Sequence, residues 1–399
     1  MTTPAIKGQA GLTGNSAIAY GMKQINPDVC AAYPITPSTG IVEEFSGYVA
    51  DGAVDTEFIT VESEHSAMSA CIGASAAGAR VMTATSSQGL AYMWEMLYIA
   101  SGMRLPIVLT DVNRALSAPI NIHCDHSDSM GARDAGWIQL YSETVQEAYD
   151  NLLQAVRIAE HKDVMLPVMV CLDGFITSHA IENITLINDA DVKEFIGEYQ
   201  AAHPLLDTDN PVTYGAMTLP DTYMEFKHQQ SKAIARSKDV VSEIGKEFGK
   251  KFGREYGLME KYKLDDADAA IVILNSAAGT TKVAVDELRK AGKKVGILKP
   301  RLFRPLPYRE IADALRNVKS VAVLDRVDSM NGFGGPLFNE TRSALYELEK
   351  RPKVISRIFG LGGRDYKVKD AVQVFDELLK IADTGKVESL TKYIMNKES

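Results

Sequence analysis

Long apolar runs are absent from this 399-residue sequence: nothing in it approaches the roughly 18 to 20 consecutive apolar residues that cross a bilayer. Residues 1–10 also lack the apolar core of a secretion leader. The expectation is a cytoplasmic protein with no membrane partner. Cysteine is scarce. Cys30, Cys71, Cys124 and Cys171 stand far apart, with neither a C-x-x-C pair nor ferredoxin-type spacing, so the chain is expected to hold no iron-sulfur cluster and to bury its thiols in a reducing compartment. Positive charge is in deficit. The 43 Lys and Arg stand against 52 Asp and Glu, a net charge of -9, which disfavours a nucleic acid partner. A P-loop, a G-x-G-x-x-G fingerprint and a G-x-S-x-G elbow are all missing, so neither direct nucleotide binding nor serine hydrolysis finds support.

What is present is an ordinary globular composition, 46% hydrophobic and 24% charged, with length for about two or three domains. Helix-like and strand-like segments alternate from residue 11 onward. Short apolar strands are predicted at 28–35, 58–61, 80–84, 107–112 and 166–172, with helices at 17–23, 66–79 and 89–101 between them. The helix at 66–79 is built almost wholly of small residues, which let a neighbouring backbone approach closely. Thr144 and Glu147 read as a capping box opening a helix to about residue 161. The first unit is therefore expected to be α/β with a largely parallel sheet.

The texture then changes. Pro204, Pro211 and Pro220 punctuate a polar stretch, and 223–262 reads as a long charged helical segment that wraps the outside. A second α/β pattern follows, with strands at 269–274, 294–298, 320–324 and 353–358 and helices at 280–291, 307–315, 336–348 and 368–381.

Ligands of open α/β sheets bind beyond the carboxyl ends of the strands, and several such ends here carry functional side chains. The first is Tyr33-Pro34-Ile35-Thr36-Pro37-Ser38, where prolines fix a turn that presents hydroxyls. Thr36 or Ser38 could equally cap the following helix. The second, Glu62-Ser63-Glu64-His65, places carboxylates at a strand end, where a helix N-terminus alone would also favour them. The third is the polar turn Thr85-Ser86-Ser87-Gln88-Gly89. The fourth, Asn113-Arg114-Ala115-Leu116-Ser117, sets one arginine among small neighbours, suited to a bidentate grip on a carboxylate. His123, Asp125, His126 and Asp128 follow in one loop, too tightly spaced for all of them to converge on a metal. No metal site is expected in this chain.

Taken together these segments resemble the alpha subunits of pyruvate:ferredoxin oxidoreductases. The likeness continues through Arg133-Asp134-Ala-Gly-Trp137, Leu172-Asp173-Gly174-Phe175, Lys299-Pro-Arg301-Leu-Phe-Arg304-Pro305, Leu324-Asp325-Arg326 and Gly360-Leu-Gly-Gly-Arg-Asp365, and so covers nearly the whole chain. It implies a thiamine-diphosphate pyrimidine-binding domain over 1–188, a polar and helical connector over 189–265, a smaller transketolase C-terminal-like parallel α/β domain over 266–385, and a tail over 386–399.

It also implies roles. Glu64 matches the glutamate that hydrogen-bonds the coenzyme's aminopyrimidine ring, with Glu62 as its competitor, and that carboxyl has to carry or transfer a proton when the ring is bound. Ile35 and Gln88 match positions beside the coenzyme. Arg114 matches the arginine that holds the substrate carboxylate, and Thr36 its hydroxyl partner; a related oxalate-oxidising branch has Arg at the Thr36 position. Magnesium and the diphosphate belong to a beta subunit, in keeping with the lack here of a Gly-Asp-Gly segment followed by paired asparagines. Gamma and delta subunits would bring [4Fe-4S] clusters. Pyruvate and coenzyme A are the implied substrates and ferredoxin the electron acceptor. Branched-chain 2-oxoacids or 2-oxoglutarate are the alternative substrates, and a non-catalytic assembly subunit is the alternative of another class.

Overall fold

The computed structural model describes residues 8–397. Its first sheet has seven strands, in the spatial order Leu302–Arg304, Ile138–Ser142, Val168–Asp173, Val108–Asn113, Val81–Thr85, Val29–Ala32 and Glu57–Thr60. All run parallel to their neighbours except Leu302–Arg304, which lies antiparallel on Ile138–Ser142. Val108–Asn113 and Val168–Asp173 are buried at every position, as strands covered on both faces must be. The strand order reverses between Val29–Ala32 and Val81–Thr85, since the chain runs outward to Glu57–Thr60 before returning. That reversal opens the crevice where ligands of such sheets bind.

Helices Gly14–Ile25, Thr39–Ala50 and Val145–Glu160 cover one face of this sheet, and the long helix Tyr223–Phe252 joins the same core through Ala233, Val240, Val241, Ile244 and Phe248. The helical part of the connector is thus packed along one side rather than only draped outside. It also stops short of its predicted end: the chain turns at Gly253, in the left-handed region with φ 74, and Met259–Tyr262 becomes a strand. The opposite face carries Glu64–Ala77, Ser87–Tyr92 and Trp94–Gly102. One helix was expected at 89–101; two form, joined at Met93. No helix among the described residues is long and apolar enough to cross a membrane.

The second sheet runs Thr391–Tyr393, Lys353–Ile358, Ser320–Asp325, Ala269–Ile273, Val295–Pro300 and Met259–Tyr262, parallel except for the last. It does not have a core of its own on both faces. Leu97, Leu109, Trp137 and Phe303 of the first layer pack in one apolar cluster with Val272, Leu298 and Leu337 of the second. The strand Leu302–Arg304 then carries the chain from the second sheet back to the edge of the first.

Charges seal the same seam. The Lys299 ammonium sits 2.7 Å from Glu143, 3.1 Å from Glu147 and 3.0 Å from Glu260, and Lys282 shares Glu143 and Glu260 with it. Burial works to lower the Lys299 pKa, but Glu147, Glu143 and Glu260 hold it above the ordinary lysine value. The expected capping box is therefore only half made. The Thr144 hydroxyl accepts the Glu147 N–H at 3.1 Å, whereas the Glu147 carboxylate turns to the Glu143 N–H and to Lys299. Removing one partner of a buried charge cluster strands the others, at a cost of about 3 to 5 kcal/mol. Lys299→Met should accordingly lower the thermal midpoint of the purified complex by several degrees, and an unchanged midpoint would show that the seam does not depend on this charge.

Candidate active site

Glu64 is the first residue of helix Glu64–Ala77, placed there by the Ser63 hydroxyl, which accepts the Ser66 N–H. The two candidate glutamates are sharply different. Glu62 is exposed and accepts the Ser66 hydroxyl at 3.1 Å. Glu64 is buried, 7% exposed, and its carboxylate has no hydrogen bond or ion pair among the described residues. It lies against the turn after Val81–Thr85. A Cβ on Gly89 would collide with the Thr85 hydroxyl and come 2.9 Å from Glu64 Oε1, so only glycine lets the turn close over the carboxylate. The Thr85 hydroxyl is itself buried without a partner. In the same turn Gln88 is half-buried, with its side-chain amide 2.7 Å from the Ser87 hydroxyl.

Thr36 and Arg114 are brought together. One Arg114 Nη donates to the Thr36 carbonyl at 2.8 Å and Nε to the Asn121 carbonyl at 2.9 Å, leaving Nη2 uncommitted. The guanidinium is thereby aimed by two backbone oxygens, and burial, partly opposed by the Asp128 charge, lowers its pKa. Thr36 is exposed and its hydroxyl makes no hydrogen bond among the described residues, so it does not cap the following helix. Ser38 occupies the cap position, but its hydroxyl donates to the Ile35 carbonyl at 2.7 Å. Ile35 is half-buried beneath it. The loop is clamped from behind: the Asn15 amide donates to the Pro37 carbonyl at 2.8 Å, and a Cβ on Gly174 would meet Pro37 at 2.8 Å and the Asn113 carbonyl at 2.5 Å.

The loop that carries His123, Asp125, His126 and Asp128 sends each side chain to a different neighbour. His123 stacks near Phe175 with ring centroids 5.0 Å apart. Asp125 accepts the Ser127 N–H at 3.0 Å and the Gly362 N–H at 3.3 Å. His126 Nε2 meets Asp173 at 2.8 Å, and Asp128 accepts the backbone N–H groups of Ser87 and Arg114. Cys124, His126 and Asp173 do stand close enough to offer ligand atoms to one ion. Yet Asp173 is already surrounded: Asn275 donates to it at 3.0 Å, Ser276 through both its hydroxyl and its N–H, and the Arg326 guanidinium lies 3.5 Å away. Burial works to raise the Asp173 carboxyl, but Arg326 and His126 hold it well below the usual carboxylate range. This cluster joins the strand ends of the two sheets. Sequence reasoning missed it, although Asp173 and Asp325-Arg326 each stand at a strand end, which is the signal that could have singled them out.

Comparison with known proteins gives the setting. The family model described as pyruvate flavodoxin/ferredoxin oxidoreductase, thiamine diphosphate-binding, matches residues 20–246, and pyruvate:ferredoxin oxidoreductase core domain II matches residues 267–371. Pyruvate synthase subunit PorA of Thermotoga maritima is 55% identical over 93% of this chain and 94% of its own length. Ketoisovalerate oxidoreductase subunit VorA of Pyrococcus abyssi is 46% identical over 94% and 95%. Among solved structures, the 2-oxoglutarate:ferredoxin oxidoreductase of Magnetococcus marinus shares the fold, with a TM-score of 0.73 at 21% identity; the likeness covers 94% of this chain and 66% of that one. The chain belongs to the pyruvate flavodoxin/ferredoxin oxidoreductase family, as an alpha-type subunit with its thiamine-diphosphate-binding domain and core domain II.

Proposed function

We propose that this chain provides the pyrimidine side of a thiamine-diphosphate site and the carboxylate grip of a pyruvate:ferredoxin oxidoreductase. The observation that carries the reading is Glu64, 7% exposed and with no hydrogen bond or ion pair among the described residues, beside a Thr85 hydroxyl that is buried without a partner. A buried polar group left unmade costs about 1 to 3 kcal/mol, more when charged, and an aminopyrimidine ring offers the nitrogen and N–H groups that would satisfy both. Bound thiamine diphosphate supplies a carbon nucleophile and an electron sink for decarboxylating a 2-oxoacid. Glu64 would hold the aminopyrimidine through a proton shared with its carboxyl, and Ile35 and Gln88 would stand beside it.

Arg114 holds the substrate carboxylate through its free Nη2, and the Thr36 hydroxyl, on the turn whose carbonyl aims that guanidinium, adds a neutral hydrogen bond. Fixing the acid at one end orients its keto carbon for attack. The diphosphate with Mg2+ belongs to a beta subunit, and gamma and delta subunits with [4Fe-4S] clusters pass single electrons to ferredoxin while the acyl group goes to coenzyme A. The assignment of 1–188, 189–265, 266–385 and 386–399 as pyrimidine domain, connector, second α/β domain and tail is part of the same reading.

Pyruvate is favoured by the PorA subunits of Thermotoga maritima and Methanocaldococcus jannaschii, 55% and 50% identical against 46% for VorA of Pyrococcus abyssi, while PorA of Pyrococcus furiosus stands level with VorA at 45%. Ferredoxin reduction by the reconstituted complex should be fastest with pyruvate. Faster turnover of 2-oxoisovalerate or 2-oxoglutarate would transfer the chain to that substrate. Glu64→Gln should leave assembly intact and reduce kcat roughly 100- to 10,000-fold; a variant with full turnover would remove Glu64 from the mechanism. Arg114→Ala should raise the KM for the acid roughly 10- to 100-fold, the worth of a charge-assisted hydrogen bond, and an unmoved KM would refute the grip.

A further inference from the structure

We propose that Asp128 is the positioning residue of this site, its carboxylate tying the turn behind Glu64 to the backbone of Arg114. Oδ2 accepts the Ser87 N–H at 3.0 Å and the Arg114 N–H at 2.8 Å, while Oδ1 accepts the Asn113 side-chain amide at 3.0 Å and the Ser129 N–H at 2.8 Å. Ser87 opens the helix that contains Gln88 and Gly89, and its backbone is in the left-handed region with φ 48. A serine held there is strained and persists only if its surroundings fix it. The bond to Asp128 supplies one such constraint, and the Ser87 hydroxyl, donated to the Ala115 carbonyl at 2.6 Å, supplies another. One side chain thus sets the spacing between the wall of Glu64 and the origin of Arg114.

A second buried acid lies beside it and is bound quite differently. Asp111, wholly buried, accepts among the described residues only the Asn113 amide, at 2.9 Å through Oδ2, and its Oδ1 has no partner there. Four N–H donors around one carboxylate and one around the other place the charge on Asp128 and leave Asp111 as the neutral acid. Burial raises both carboxyls, but unequally: Asp111 goes well above the usual carboxylate range, pushed further by the Asp128 charge, whereas Asp128 rises only to about 6 because the N–H groups of Arg114, Asn113, Ser129 and Ser87 counter the effect of burial. An isosteric amide tells the two apart. Asparagine at 128 has to turn its NH2 toward two N–H donors in either orientation, but at 111 it can keep its oxygen on Asn113.

The inference rests on the roles assigned to Arg114 and Glu64, and a double-mutant cycle in the reconstituted complex separates the two claims. Asp128→Asn should lower kcat/KM for the 2-oxoacid on the order of 100-fold, with KM raised and kcat reduced, while Asp111→Asn stays within about threefold of the parent. In an Arg114→Ala background Asp128→Asn should raise KM no further but still lower kcat through the Glu64 wall. If the asparagine variant fails to assemble, Asp128→Glu, which keeps the charge and shifts it by one methylene, enters the same cycle with the same expectation. Additive effects on KM, a silent Asp128 variant, or equal damage at Asp111 overturns the positioning role. An unchanged KM for Arg114→Ala alone instead overturns the reading of the grip on which it stands.

Discussion

The Asp173 carboxylate is wholly buried between the two sheets, and a charge in such a place costs several kcal/mol unless donors surround it. Here the donors come from both sides of the seam. His126 belongs to the first layer, while Asn275 and Ser276 stand at the strand ends of the second, where the Arg326 guanidinium adds its charge from 3.5 Å. Neither sheet satisfies this group alone. The carboxylate therefore fixes how the second sheet docks on the first, and the shared apolar layer containing Leu97, Trp137, Leu298 and Phe303 supplies the burial behind it. Non-directional burial holds the layers together, and the hydrogen-bonded charge selects the register in which they meet.

That docking decides which strand ends are left for chemistry. The carboxyl ends of the second sheet would be ligand positions in an open α/β domain, but the loop at 121–126 fills them. Asn121 donates to the Gly362 carbonyl at 3.0 Å, the Gly363 N–H donates to the Cys124 carbonyl at 2.7 Å, and His126 takes its backbone partner from Arg326 at 2.8 Å. The second domain thus acts on the site as a support. Through Asn121 it orients Arg114, whose Nε donates to the Asn121 carbonyl, so a contact with a glycine cluster far along the chain reaches a group proposed to grip the substrate.

Much of the fold could be read directly. Buried parallel strands announce themselves as short apolar runs, and the small-residue helix, the strand ends and all the strands and helices foreseen in the second sheet lie where periodicity put them. The pieces that could not be read are those decided by tertiary partners. Leu302–Arg304 is too short to carry a pattern and is a strand only because Ile138–Ser142 offers an edge. Met259–Tyr262 is polar and helix-compatible, and pairs with Val295–Pro300 only because the chain turns at Gly253. The site divides in the same way. Strand-end position singled out Glu64, Thr36 and Arg114, but composition does not separate Glu62 from Glu64, which differ in burial and in partners: Glu62 is exposed and accepts the Ser66 hydroxyl, and Glu64 is buried. Asp111, Asp128 and Asp173 sit in ordinary-looking loops and strands, and their importance lies in who donates to them, which is a property of packing.

The site is also unfinished in a specific physical sense. Buried polar groups of native proteins are almost all hydrogen-bonded, and this chain obeys the rule at Asp128 and Asp173 with many donors each. The Thr85 hydroxyl departs from it, at the point where the strand order reverses, and beside it stands Glu64, 7% exposed, whose carboxylate has no hydrogen bond or ion pair among the described residues. Next to them the surface turns apolar: Tyr92, whose ring lies 6.0 Å from that of His65, is 58% exposed and Trp94 is 44% exposed. An unpaired carboxylate lowers the stability of the chain that carries it, and it is tolerable where a ligand or a second protein surface restores the missing contacts. Glycine at 89, which allows that carboxylate to be enclosed on one side while leaving it without a donor, keeps the position open for such a partner.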